Sequence, residues 1–99
     1  MTDLELKFHQ EMVSIYKAAK KECGYNAIRF LQLITDKGGV EAARQLIIKQ
    51  TSGFSALVEF NRLDLSVEAC ILKPEYALLF TESERDICRE RLRNLGYKY

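Results

Sequence analysis

One histidine, one proline and three cysteines are all that this 99-residue chain contains of those types. Each scarcity removes a class of chemistry. His9 has no second histidine or cysteine beside it at ligand spacing, so a locally written metal site gets no support. Cys23, Cys70 and Cys88 are odd in number, widely separated and free of a Cys-x-x-Cys, which argues against a disulfide framework or a zinc knuckle. Each falls on or beside an apolar stripe, where a free thiol behaves as a small buried hydrophobe. No uninterrupted apolar run approaches the roughly 20 residues of a membrane span, and the start Met1-Thr2-Asp3-Leu4-Glu5 lacks the basic and apolar regions of a signal peptide. The expectation is a soluble, cytoplasmic chain with no membrane partner. No Gly-x-Gly-x-x-Gly, P-loop, Gly-x-Ser-x-Gly or His-Glu-x-x-His occurs, so chemistries with those local signatures drop out. Neither sign of charge dominates: fifteen Lys and Arg face fourteen Asp and Glu, a net +1. The whole-molecule field therefore does not select polyanions.

Apolar residues make up 47% of the chain and charged residues 29%, a globular composition. The length suits one compact domain over residues 1–99. No segment alternates long enough to build a sheet, and Gly and Pro recur at helix-length intervals, so the expected class is all-α: a single small bundle of five or six helices.

Thr2 with Glu5 forms a capping-box pattern, and Leu4, Phe8, Met12, Ile15, Ala19 and Cys23 recur every three or four residues, one stripe of a first helix. Gly24 suits its left-handed stop, with Tyr25 packing back on the last turn. Asn26 is placed to cap a second helix from Ala27 to about Thr35, with Ala27, Phe30, Leu31 and Ile34 in a stripe widened by Ile28 and Leu33; it is the most apolar helix and is expected to be central. A turn at Asp36-Lys37-Gly38-Gly39 leads to a third helix, Val40 to Lys49, with Val40, Ala43, Leu46 and Ile47 inward and Glu41 and Arg44 outward. Gln50-Thr51-Ser52-Gly53 precedes a short helix, Phe54 to Asn61, carrying Phe54, Leu57, Val58 and Phe60. Asp64 or Ser66 caps Val67 to Leu72, which ends before Pro74 because the residue ahead of proline is pushed out of the helical region. Pro74 opens a helical turn. Thr81 with Glu84 is a second capping box, starting a last helix to about Asn94 on Ile87, Cys88, Leu92 and Leu95. Phe8, Met12, Ile15, Phe30, Leu31, Ile34, Ile47, Leu57, Cys88 and Leu92 are the expected core.

Four sets of residues invite a functional reading. His9 lies a quarter-turn from the apolar stripe and reads as a solvated or half-buried histidine, with a general base paired to a distant cysteine as the sharper alternative. Arg85, Arg89 and Arg93 recur every four residues, with Arg91 and Lys98 nearby, a spacing that suits phosphate contact. Each also has an acid three positions earlier, so a self-paired solvated face is the competing account. Leu6 and Val13, two turns apart on the first helix, project away from its buried stripe, with Tyr16, Lys17 and Lys20 bordering them. They are either covered by a bundle that wraps two sides of the helix or anchor a partner. Arg62, Asp64 and Glu68 read as a cap with an ion pair, or as a polar recognition patch. A helix-turn-helix over Val40 to Asn61 is disfavoured, because its second helix has no Lys or Arg after Gly53.

Several runs resemble a group of short, mostly bacterial proteins that has no assigned activity or catalytic residues. They are Gly24-Tyr25-Asn26-Ala27 with Arg29-Phe30-Leu31-Gln32, and Gly38-Gly39-Val40-Glu41-Ala42-Ala43. Leu63 to Ala69, Pro74-Glu75-Tyr76, Leu79-Phe80-Thr81 and the Arg91-Leu92 to Gly96-Tyr97 ending follow. What the resemblance implies is a free-standing bacterial or phage domain. The expected function is a non-enzymatic protein-interaction module without a cofactor, acting on another protein or on itself as a homodimer. A nucleic-acid-binding accessory protein using the terminal arginines is the alternative, and an enzyme built from Arg, Asp and Tyr side chains is a third.

Overall fold

Six α-helices joined by two 3₁₀ turns account for the described residues, with no strand among them; the computed structural model describes residues 2–24, 26–49 and 54–97. The helices are α1 (Asp3–Cys23), α2 (Ile28–Lys37), α3 (Gly39–Lys49), α4 (Phe54–Glu59), α5 (Val67–Ile71) and α6 (Glu82–Asn94), with 3₁₀ turns at Leu63–Leu65 and Pro74–Tyr76. The class is all-α. The expected packing of Tyr25, the turn Gln50 to Gly53, the side chain of Phe54 and Lys98 lie outside the described residues.

Both capping boxes form: the Thr2 hydroxyl accepts from the Glu5 amide and the Thr81 hydroxyl from the Glu84 amide, while each glutamate side chain accepts from its threonine's backbone N–H. Gly24 ends α1 in the left-handed conformation (φ 65°). Ser66, not Asp64, caps α5, its hydroxyl accepting from the Ala69 amide. Pro74 opens its 3₁₀ turn as the sequence suggests.

The helix starting after Gly24 departs from expectation. Asn26 does not cap it; the N-cap is Ala27, without a side-chain hydrogen bond, and the Asn26 side chain instead accepts from the Tyr16 hydroxyl (2.9 Å). The helix runs on to Lys37, so Gly38 alone turns the chain into α3.

α1 is the central element, lying against α2, α3, α4, α5 and the first 3₁₀ turn, whereas α2 flanks α1 and α3 and buries only Ile34 completely. Phe30 and Leu31 are accordingly half-buried rather than core. Of the remaining expected core, Phe8, Met12, Ile15, Ile34, Ile47, Leu57, Cys88 and Leu92 are all buried. Ile28, Val58, Phe60 and Leu95, expected on the apolar stripes, are exposed; Phe60 and Leu95 lie beyond the ends of α4 at Glu59 and of α6 at Asn94. Ile87 stands at the rim of α6.

The core also takes residues that no periodicity singled out. Ile71, Tyr76 and Phe80 come from the segment around Pro74, and the rings of Tyr76 and Phe80 meet Phe8 edge-on at 4.9 and 5.1 Å. A smaller cluster of Ala19, Cys23, Leu57 and Leu63, with Leu65 and Tyr97 against it, continues this core along the C-terminal half of α1.

Helix ends and turns leave carbonyls without backbone partners, and arginines supply donors to three of them. Arg44 donates to the Leu79 carbonyl (2.9 Å) while lying over the Phe80 ring, Arg85 donates to the Leu72 carbonyl (3.1 Å), and Arg91 donates to the Ile47 carbonyl. Arg44, expected to point outward, is thereby drawn onto the loop before α6.

Candidate functional site

Glu11 stands at the edge of the buried stripe of α1, one position before the fully buried Met12. Its partners come from a segment whose local geometry is set by Ser66 and Pro74. Ser66 starts α5 and places Cys70 one turn in. Lys73 is extended (φ −60°, ψ 134°), as a residue ahead of proline must be, and Pro74 then turns the chain so that Tyr76 drops into the core beneath Phe8. Cys70, Lys73 and Tyr76 are three apart in sequence and all converge on one carboxylate. The Tyr76 hydroxyl donates to Oε1 of Glu11 (2.7 Å), the Cys70 thiol donates to Oε2 (3.3 Å), and the Lys73 ammonium donates to the same Oε2.

The electrostatics follow from this geometry. Burial pushes the Glu11 carboxyl up, but the hydrogen bonds from Lys73, Tyr76 and Cys70 outweigh it and hold the group below the usual carboxylate range. The bond to Glu11 raises the Lys73 ammonium. Burial first pushes the Cys70 thiol and the Tyr76 phenol far up, followed by the Glu11 charge for the thiol and by the hydrogen bond to Glu11 for the phenol. Near neutrality the set therefore holds an ionised carboxylate, a protonated amine, a protonated phenol and a protonated thiol. This arrangement suits charge recognition better than proton transfer or thiolate attack.

From Glu11 a groove of about 500 Å³ runs along α1 to Ala18. Ile15 and Ala18 form one wall, Ala69 of α5 and Leu72 just after it the other, and Leu65 and Tyr97 approach from the side of the smaller cluster. The two alanines leave the width that larger side chains would fill. Besides Glu11 and Lys73, Asp64 lines the groove, and it is already held in a two-pronged bond by Arg62, whose third nitrogen donates to Glu22 (2.6 Å).

The residues singled out from sequence are distributed as follows. Leu6 is exposed, but Val13 packs against the main core and Tyr16 is tied to Asn26, so the two apolar side chains do not form the stacked outward pair expected of them. Lys17 and Lys20 are exposed. Arg85 turns inward to the Leu72 carbonyl, Arg89 is held by Glu82 and Asp86, and Arg93 is exposed. The triplet is therefore not a uniform row. Arg62 and Asp64 pair with each other, but Glu68 leaves them: it is buried and bonded to Arg91 (3.0 Å). Burial pushes the Glu68 carboxyl up, against the pull of its backbone hydrogen bond and of Arg91. His9 is half-buried, its Nδ1 accepting the backbone N–H of Gly39 (2.9 Å) at the start of α3.

Sequence reasoning did not single out Glu11, Lys73 or Tyr76. The triplet spacing Cys70-x-x-Lys73-x-x-Tyr76 was visible, but Pro74 interrupts it, and no helix carries all three. Among the described residues no group of three or more His, Cys, Asp or Glu is arranged to hold a metal ion, and no helix is long and apolar enough to cross a membrane. No family model, no curated protein and no solved structure matches this chain.

Proposed function

We propose that this chain is a non-enzymatic protein-interaction module that receives a segment of another protein in the groove between α1 and α5, as an accessory or regulatory factor of a bacterial or phage system. The observation that carries the reading is the pairing of an open, largely apolar groove with polar groups already committed to one another. A reactive site leaves its nucleophile or base available, whereas here the thiol and phenol are donors to a carboxylate and are pushed away from ionisation. Burial of a partner's apolar side chains against Ile15, Ala18, Ala69 and Leu72 would supply the driving force. The nucleic-acid alternative has weaker support, since Arg85 and Arg89 spend their donors within the chain.

A photo-crosslinking residue at Ser14, on the groove, tests this in the organism that encodes the chain. A discrete protein adduct is expected from Ser14 and none from Lys37, at the far end of α2; adducts of equal yield at both positions, or none from Ser14, would refute it. A self-adduct would identify the partner as a second copy, the homodimer form of the same reading.

A further inference from the structure

Charge on this chain is balanced as a whole but not locally. From its distribution we infer that the end where α1 meets α2 docks on the phosphate backbone of a double-stranded nucleic acid, without reading base sequence. Lys7, Arg44, Arg62, Lys73, Arg89 and Arg91 each meet a carboxylate of the same chain. Lys17, Lys20, Lys21 and Arg29 do not: all four are exposed, and none of their side chains forms an ion pair or hydrogen bond with a described residue. Residues 16–35 contain one carboxylate, Glu22, and Arg62 already holds it. The lysines are three and four residues apart, on the side of α1 turned away from its buried stripe. The bond from Tyr16 to Asn26 ties the start of α2 to α1 one turn ahead of Lys20, which brings Arg29, three residues on, to the same end of the pair.

Local helix energetics accounts for only half of this set. Lys20 and Lys21 complement the negative end of α1. Lys17 lies before that last turn, and Arg29 stands in the first turn of α2, where a cation is disfavoured and no acid offsets it. A residue that works against its own helix, beside three unpaired lysines, points to a partner that brings the missing negative charge. What the surface lacks selects that partner. Among the described residues of this stretch only Ile28 is a large apolar side chain left exposed, whereas a protein partner needs a cluster of them as an anchor. Tyr16 is half-buried with its hydroxyl engaged, and Phe30 is half-buried, so no ring is laid open for a single strand to stack on. Four cations without apolar anchor or stacking platform suit a duplex, which presents one phosphate charge per roughly 1.7 Å of axis and releases counterions on contact. None of the four lines the α1–α5 groove or belongs to α6, so this surface is separate from the groove and from the terminal arginines.

Fluorescence anisotropy of a labelled DNA duplex two helical turns long, titrated with the full chain, tests the proposal. Binding in the micromolar range is expected at low salt, weakening about a hundredfold between 50 and 200 mM, the loss for four phosphate contacts. Two duplexes of unrelated sequence should bind alike. The triple variant Lys17→Gln, Lys20→Gln, Lys21→Gln changes only exposed side chains without partners, so it should melt with the native chain while its salt dependence over the same range shrinks to about fourfold. Arg29→Gln alone should lower the log–log salt slope by about one, and Arg89→Gln should leave it unchanged. No binding at low salt, an unchanged slope in the triple variant, or a preference of more than about tenfold between the duplexes would overturn the proposal. Displacement of the duplex by poly-glutamate as readily as by unlabelled duplex would assign the surface to an acidic protein segment instead, and loss of binding in Arg89→Gln would move the contact to α6; either defeats it. Should the triple variant melt below the native chain, Arg29→Gln decides, and an unchanged slope there refutes the contact.

Discussion

Replacing Gly39 with alanine tests how tightly α1 and α3 are seated. Gly39 opens α3 directly over the middle of α1, and a Cβ at that position would lie 2.6 Å from the His9 Cα and 3.2 Å from its Cβ and backbone N. The nearest approach is about 0.8 Å short of ordinary contact at 3.4 Å, and it is against backbone in the middle of a 21-residue helix, which no rotamer change can move aside. The two helices must separate. Overpacking of this kind costs about 1–3 kcal/mol, against which the better helix propensity of alanine returns up to about 1 kcal/mol. A net destabilisation of about 1–2 kcal/mol is expected, a fall in Tm of roughly 5–15 °C for a domain of this size. Thermal and urea unfolding followed by circular dichroism measure it, with His9→Ala as the companion variant. His9→Ala alone removes the acceptor for the Gly39 amide and should cost about 1 kcal/mol. Because the close approach is to the His9 main chain, the two costs should add in the double variant. If Gly39→Ala is neutral or stabilising, or if His9→Ala rescues it, the reasoning from backbone contact is wrong.

The buried pair of Glu68 and Arg91 gives a larger effect: Arg91→Met strands a carboxylate whose side chain is 9% exposed and should cost about 3–5 kcal/mol by urea unfolding, with Glu68→Gln in the same background recovering part of the loss. The thiols provide a chemical readout. All three cysteines are buried and Cys88 is pushed up to about 12 by burial and then by the Glu68 charge, so an aromatic disulfide reagent at pH 8 should leave the folded chain unmodified and titrate three thiols only in denaturant. Glu11 predicts a pH dependence of stability. A carboxylate held below its ordinary 4.5 stabilises the fold above that value and loses the contribution as pH falls through its lower folded-state pKa, so the stability gap between the native chain and Glu11→Gln should be constant near neutrality and close in acid. A gap that widens on acidification would contradict it. Thr81→Ala, which removes the cap of α6, should cost about 1 kcal/mol in the same assay.

Helix identity, the stripe from Phe8 to Cys23 and both capping boxes were legible in the amino-acid order because they depend on residues three or four apart, a distance at which backbone geometry alone decides what meets what. The all-α class and eight of the ten core positions proposed from periodicity followed from the same rule. The misreadings share a cause. α2 has the apolar content of a central helix, yet it flanks the bundle, since centrality depends on how many neighbours surround a helix and not on its own composition. The arginines of α6 do meet acids three positions earlier, Arg85 with Glu82 and Arg89 with Asp86, but the row is not uniform, because the Leu72 and Ile47 carbonyls and the buried Glu68 carboxylate also draw Arg85 and Arg91 inward. The groove was less visible still. Glu11 is separated by 59, 62 and 65 positions from Cys70, Lys73 and Tyr76, and no local pattern links residues so far apart. Their meeting depends on Ser66 starting one short helix, Pro74 ending the segment with a turn, and Phe8 offering Tyr76 a ring to pack against, so that long-range packing, and not local periodicity, creates the carboxylate at the end of the groove.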